Sequence, residues 1–198
     1  MKNMEKPSQH KEDYWIYAFP PKEKEVEIIE LAIEWFEANS ESYLRSGMIY
    51  PRNIYSDEMI RPQTDTDKTL MKIDHEAIRI VRADPLSNYH FLSGKWLIYI
   101  PKNAVDEVWE KLRRAIESGK LPYEAKVSTV KKSPLRQNQK HVICVYTPNF
   151  LFREDVRNCR NILRSMGFQR KLYYKPDIFT YKGMYRIFGS KINHRYFG

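Results

Sequence analysis

Gly94-Lys-Trp-Leu-Ile-Tyr-Ile-Pro101 and His141-Val-Ile-Cys-Val-Tyr-Thr-Pro148 open the same pattern twice. Each is a run of β-branched and aromatic residues stopped by proline, as a strand entering a turn requires. After the first, Val105, Val108, Trp109, Leu112 and Ile116 recur at helical spacing over about 103–118, with Gly119 past the end. A strand at 123–130 follows. After the second, Val156, Cys159, Leu163 and Met166 form the stripe of a helix at about 153–166, stopped by Gly167, and a strand at 170–175 follows. The loop 131–140 joins two strands directly, which predicts an antiparallel pair. The fold class is therefore α+β, a mixed or mostly antiparallel sheet with helices packed on one face.

Outward from this pattern the chain is less regular. Residues 1–13 are polar and read as a loosely attached tail, and 14–198 as a single domain. Tyr14-Trp-Ile-Tyr-Ala-Phe19 predicts a short strand ended by Pro20 and Pro21. Val26, Ile29, Ile33 and Phe36 predict a helix over 22–39, ended by Asn39 and Ser40. Residues 40–75, broken by Pro51, Pro62 and the polar run from Gln63 to Lys68, read as an irregular insertion with room for one short helix. Glu76-Ala-Ile-Arg-Ile-Val-Arg82 alternates like a strand, and Asp84-Pro-Leu-Ser-Asn88 reads as a turn.

The formal net charge of +9 favours anionic partners: nucleic acid, nucleotide, phosphoprotein or an acidic membrane surface. Cys144 and Cys159 both lie among apolar residues and read as small core residues, with no disulfide framework and no metal-ligand spacing among the five His. No Gly-x-Ser-x-Gly elbow and no Walker or dinucleotide glycine fingerprint occurs, which argues against hydrolase triads and ATP chemistry. No cofactor is expected. The absence of an apolar span or a signal peptide core gives a cytoplasmic protein without membrane contact as the expectation.

Basic residues then collect at strand ends. Lys95 opens its strand, Lys126 sits in Ala125-Lys-Val-Ser-Thr129, Arg136 lies in the next loop, and Lys175, Asp177 and Arg186 fall between Tyr174 and Arg186. Several fixed cations with tyrosines such as Tyr146 and one aspartate suit a phosphate ester, for which Arg offers a bidentate fork. Lys126, between Ala125 and Val127, is the candidate general base, because neighbouring positive charge lowers a lysine pKa. Asp177 would orient one of the arginines and Tyr146 would donate a hydrogen bond. Of the tryptophans, Trp109 lies on a helix stripe and Trp35 reads similarly. Trp96 faces away from Lys95 on the same strand.

The segment from Gly94 to Arg186 resembles the phosphothreonine lyase family, which removes phosphate by β-elimination. The resemblance implies Lys126 as base and Lys95 as the earlier lysine. It also implies Arg136, Tyr146, Asp177 and Arg186 in the phosphate group, with Arg195 a looser match. Leu97 stands where that family carries its acid histidine. The segments Lys126-Val-Ser-Thr129, Val142-Ile-Cys-Val-Tyr-Thr147 and Tyr174-Lys-Pro-Asp-Ile-Phe-Thr-Tyr181 resemble more closely, over about residues 76–186, a family named for a basophilic-leukaemia-expressed protein. Its members are similar in fold to the messenger-RNA cap-binding initiation factor. Together these resemblances imply a phosphate-ester-recognising protein. It would be either a β-eliminating phospho-lyase or a non-catalytic module binding a nucleotide or an RNA 5′ end.

Overall fold

The computed structural model describes residues 5–131 and 140–198. Over these described residues it is an α+β protein with six helices and one six-stranded sheet in the order β1-β3-β4-β2-β5-β6. The strands are β1 (Trp15–Ala18), β2 (Gly94–Ile100), β3 (Ala125–Ser128), β4 (His141–Thr147), β5 (Tyr173–Pro176) and β6 (Tyr196–Phe197). The helices are α1 (Lys22–Ser46), α2 (Asp65–Ala83), α3 (Pro85–Asn88), α4 (Val105–Glu117), α5 (Arg153–Ser165) and α6 (Asp177–Tyr181). The chain divides into two compact units: unit 1 holds residues up to Val26 and Leu97–Tyr146, and unit 2 holds Glu27–Trp96 and Thr147–Gly198.

In unit 1, β1 pairs antiparallel with β3, Tyr17 opposite Lys126, and β3 pairs antiparallel with β4, Lys126 opposite Cys144. Alternation sends Ile16, Ala18, Ala125, Val127, Ile143 and Val145 inward, all buried. Helix α4 packs on β1 and β3 and adds Val105, Trp109, Leu112 and Ile116 to this core. Each fully buried side chain of this kind contributes roughly 1.5–3 kcal/mol. Ser8, in the segment expected to hang loose, bonds Asp106 of α4 through its backbone N–H at 2.9 Å and its hydroxyl at 2.5 Å.

In unit 2 the helices differ most from expectation. Helix α1 does not end at Asn39: that side chain donates back to the Trp35 carbonyl at 2.8 Å, and the helix runs to Ser46, closed by Gly47 at φ 62°. Its buried line is Ala32, Phe36, Ser40 and Tyr43, whereas Ile29 and Ile33 stay more than a third exposed. The polar run at 63–68 is a helix start. Thr64 and Asp67 form a reciprocal capping box, and Leu70, Ile73, Asp74, Ala77, Ile78 and Val81 make the buried stripe of α2. Residues 76–82, expected as a strand, are its last turns. A seven-residue window holds too few turns to separate the two periods.

Helix α5 buries Val156, Cys159 and Leu163, as expected, and also Arg160. That guanidinium is spent on the carbonyls of Gly198, Phe168 and Arg170 at 2.7–3.1 Å. Strand β5 pairs antiparallel with β6, Tyr174 opposite Tyr196. Gly94 opens β2 because nothing larger fits: a Cβ there would lie 2.5 Å from the Tyr174 hydroxyl.

Candidate functional site

Unit 2 gathers Lys95, Lys175 and Asp177. Asp177 follows Pro176 directly as the first residue of α6, and its backbone N–H donates to the Ser93 carbonyl at 2.8 Å. Its carboxylate accepts from the Ser93 hydroxyl at 2.5 Å and is ion-paired with the Lys95 ammonium. Lys95 also reaches the Thr180 hydroxyl at 3.4 Å. Lys175 lies one strand over on β5 and is buried, a rare state for a lysine. Its Nζ donates to the Met184 carbonyl at 2.8 Å and sits 3.4 Å from the centroid of the Tyr185 ring. Burial first, and then the charge of Lys95, push the Lys175 ammonium down to about 8, against the opposing pull of Asp177. The aromatic side chains of His90, Phe91 and Tyr181 cluster with centroids 4.4–5.5 Å apart, on the turn before β2 and on α6.

Arg186 is exposed, and its electrostatic neighbour is His194. Burial, then Arg52, Arg186 and Lys171, push that imidazole down to about 4, and Arg52 Nη2 lies 2.6 Å from its Nε2. Arg195 is not placed to hold a phosphate. It is fully buried, bonded to both oxygens of the fully buried Asp74 at 2.8–3.2 Å and to the Tyr50 carbonyl at 3.1 Å. Burial opposes the arginine's charge, and Asp74 more than restores it. Tyr43 donates to the same carboxylate at 2.7 Å. This is a structural ion pair of the unit 2 core.

Unit 1 holds Lys126 and Tyr146. Lys126 leaves the buried face of β3, and its Nζ lies 4.5 Å from the Trp15 ring centroid, 5.4 Å from Tyr146 and 5.9 Å from Tyr17. Aromatic faces attract an ammonium held over them. Arg136 lies outside the described residues.

The four tryptophans separate. Trp96 and Trp109 are core, Trp96 donating to the Val156 carbonyl at 3.0 Å. Trp35 stacks on Phe152 at 5.7 Å. Trp15 alone of the four stands beside a candidate cation. Sequence reasoning missed Trp15 and Tyr17 as neighbours of Lys126, although the alternation of Tyr14–Phe19 carried the signal. It also missed Ser93, Thr180 and Tyr185, for which no local signal exists. Among the described residues, no group of three or more His, Cys, Asp or Glu is arranged to hold a metal ion, and no helix is long and apolar enough to cross a membrane.

The family model for basophilic leukemia-expressed protein Bles03 matches residues 5–183. The chain belongs to the Bles03 family. The match reaches well beyond the 76–186 expected from sequence, into the N-terminal segment that docks on α4 and carries Trp15 and Tyr17. Lys95, Lys126, Lys175 and Asp177 all lie within the matched residues of this Bles03-family chain, whereas Arg186 and Arg195 fall beyond them.

Proposed function

We propose that the protein recognises a phosphate ester at the Lys95–Lys175–Asp177 cluster of unit 2. The supporting observation is a buried strand lysine, Lys175, which feels the charge of the neighbouring Lys95. Two ammonium groups against one carboxylate leave the cluster cationic. The Ser93 and Thr180 hydroxyls add donors at its rim, and Asp177 fixes the direction of Lys95. A phosphate dianion replaces the solvation that burial has removed from Lys175, which is where binding energy arises.

A second reading, β-elimination, follows the lyase resemblance and is favoured by the lowered pKa of Lys175. The base takes the α-proton of a phosphorylated serine or threonine, the electron pair forms the Cα–Cβ double bond, and phosphate leaves with the electrons of its C–O bond. In this reading Lys175, rather than Lys126, is the base, because burial and Lys95 lower its pKa. Turnover would then rise with pH through about 8, as Lys175 loses its proton.

The test incubates phosphothreonine and phosphoserine peptides with the protein, with Lys175→Ala and with Lys126→Ala, and follows them by mass spectrometry and calorimetry. Nucleoside monophosphates form a parallel binding arm. Loss of the elements of phosphoric acid, abolished by Lys175→Ala alone, establishes elimination. Loss abolished by Lys126→Ala alone moves the base to unit 1. Binding without mass change, weakened by Lys175→Ala, establishes recognition alone. Absence of binding in every arm overturns the reading.

A further inference from the structure

Trp15, Tyr17 and Phe19 alternate with Ile16 and Ala18 along β1 and its continuation. The even-numbered pair is buried, while Tyr17 and Phe19 are 52% and 55% exposed. The Tyr17 and Phe19 rings are parallel to within 5°, with centroids 6.0 Å apart. β1 is the last strand at its end of the sheet, so this row of rings runs along an edge. Lys126 lies directly opposite Tyr17 on β3, among the rings of Trp15, Tyr17 and Tyr146. Among the described residues no carboxylate is ion-paired with it. Past the Trp15 end of the strand pair, Lys131 Nζ lies 4.7 Å from the ring of Tyr14, itself 42% exposed.

An exposed aromatic row costs hydration that a soluble chain does not leave unused without reason, and an unpaired cation in its midst selects what covers it. An apolar or cationic partner would leave Lys126 buried without a counter-charge. A carboxylate-bearing partner would satisfy the lysine but not the flat rings. An unpaired nucleic acid strand satisfies both: each base offers a π-face and each linkage a phosphate. We propose that this face of unit 1 binds single-stranded nucleic acid. Bases stack on the Trp15–Tyr17–Phe19 row, and Lys126 meets the backbone.

The row differs from an end-recognising sandwich, which closes two tryptophans on one base. Trp96 and Trp109 are core, and Trp35 is stacked on Phe152. What unit 1 offers is an open track that tolerates any base. A duplex, with its bases already stacked, cannot use it. The chain's net charge of +9 adds attraction for any polyanion. It is the row of rings that discriminates one strand from two. The proposal rests on unit 1 and is independent of the phosphate-ester cluster in unit 2.

The test is fluorescence anisotropy with a labelled single-stranded oligonucleotide of mixed sequence and its duplex, over a salt titration. The variants are Tyr17→Ala, Lys126→Ala and the exposed control Lys102→Ala, each checked for folding by circular dichroism. The single strand should bind more tightly than the duplex and quench tryptophan emission. Tyr17→Ala should weaken binding roughly five- to hundredfold, the range for one stacked base. Lys126→Ala should weaken it and reduce the salt slope by about 0.7, one single-strand phosphate. Lys102→Ala should leave affinity within about twofold, on the expectation that one exposed charge off the row contributes little under screening. Equal binding of duplex, equal losses from Lys102→Ala and Tyr17→Ala, dependence on a free 5′ end, or no binding at low salt would each overturn the proposal.

Discussion

Lys126 and Lys175 occupy comparable places in the doubled strand–helix–strand pattern, and the fold treats them in opposite ways. Lys126 has one open side, aromatic rings around its ammonium and no carboxylate paired with it among the described residues. Lys175 is buried, its ammonium bonded to a carbonyl and set against one ring, with its pKa drawn down to about 8. The difference comes from the neighbouring strands. Lys126 sits between β1 and β4, whose outward residues are Trp15, Tyr17 and Tyr146. Lys175 sits on a strand whose Tyr174, Lys175 and Pro176 are all buried. A place in a repeated pattern sets which strand a lysine is on, and the pairing partners set its chemistry.

If charge in unit 2 is part of its fabric, removing one buried charge there should be ruinous. Asp74→Ala strands Arg195 fully buried without its partner, and urea unfolding should show a loss of about 3–5 kcal/mol. A loss below about 1 kcal/mol would mean the unit hydrates its charges easily, and the contrast with unit 1 would collapse. Crowding the same unit beside Lys95 should cost less. Gly94→Ala drives a methyl into the Tyr174 ring that bonds Thr147 at 2.6 Å, at about 1–3 kcal/mol in thermal or urea unfolding.

The expected sheet and its flanking helices were legible because punctuation and period agreed. Pro101, Gly119, Pro148 and Gly167 bracket elements whose apolar spacing is unambiguous. Helix α2 was not legible, since Thr64 and Asp67 look like loop residues until their side chains cap a helix. Helix α6 could not be read at all, being five residues placed straight after Pro176. At the sites, Lys95 and Asp177 lie together, whereas Arg195 lies buried against Asp74. Its burial depends on Asp74, 121 residues away, and no local pattern reports that. The rings around Lys126 depend on β1 pairing with β3, another long-range fact.

Two smaller effects sharpen the comparison. His194 is held neutral in the fold, with a pKa of about 4 against an ordinary 6.5, so the unfolded chain binds the extra proton first. Unit 2 should keep its full stability above about pH 6.5 and lose some as pH falls toward 4. The loss should be of order 1 kcal/mol after allowance for solvent screening of a half-buried group, and His194→Gln should flatten the profile. In unit 1, Lys126→Met should change unfolding stability by no more than about 1 kcal/mol, the scale of cation–π contacts near a surface. A loss several times larger would make Lys126 a core residue and end its contrast with Lys175.

The Asp74–Arg195 pair also bears on how the chain is made. A ribosome delivers Asp74 long before Arg195, with all of unit 1's remaining strands translated in between. Unit 1 has its full set of strands once Tyr146 has emerged, whereas unit 2 must hold Asp74 and Tyr43 hydrated until its arginine arrives. Vectorial synthesis therefore favours folding in the order unit 1, then unit 2. The interval between the two is when a nascent chain carrying a half-built buried charge depends most on its surroundings.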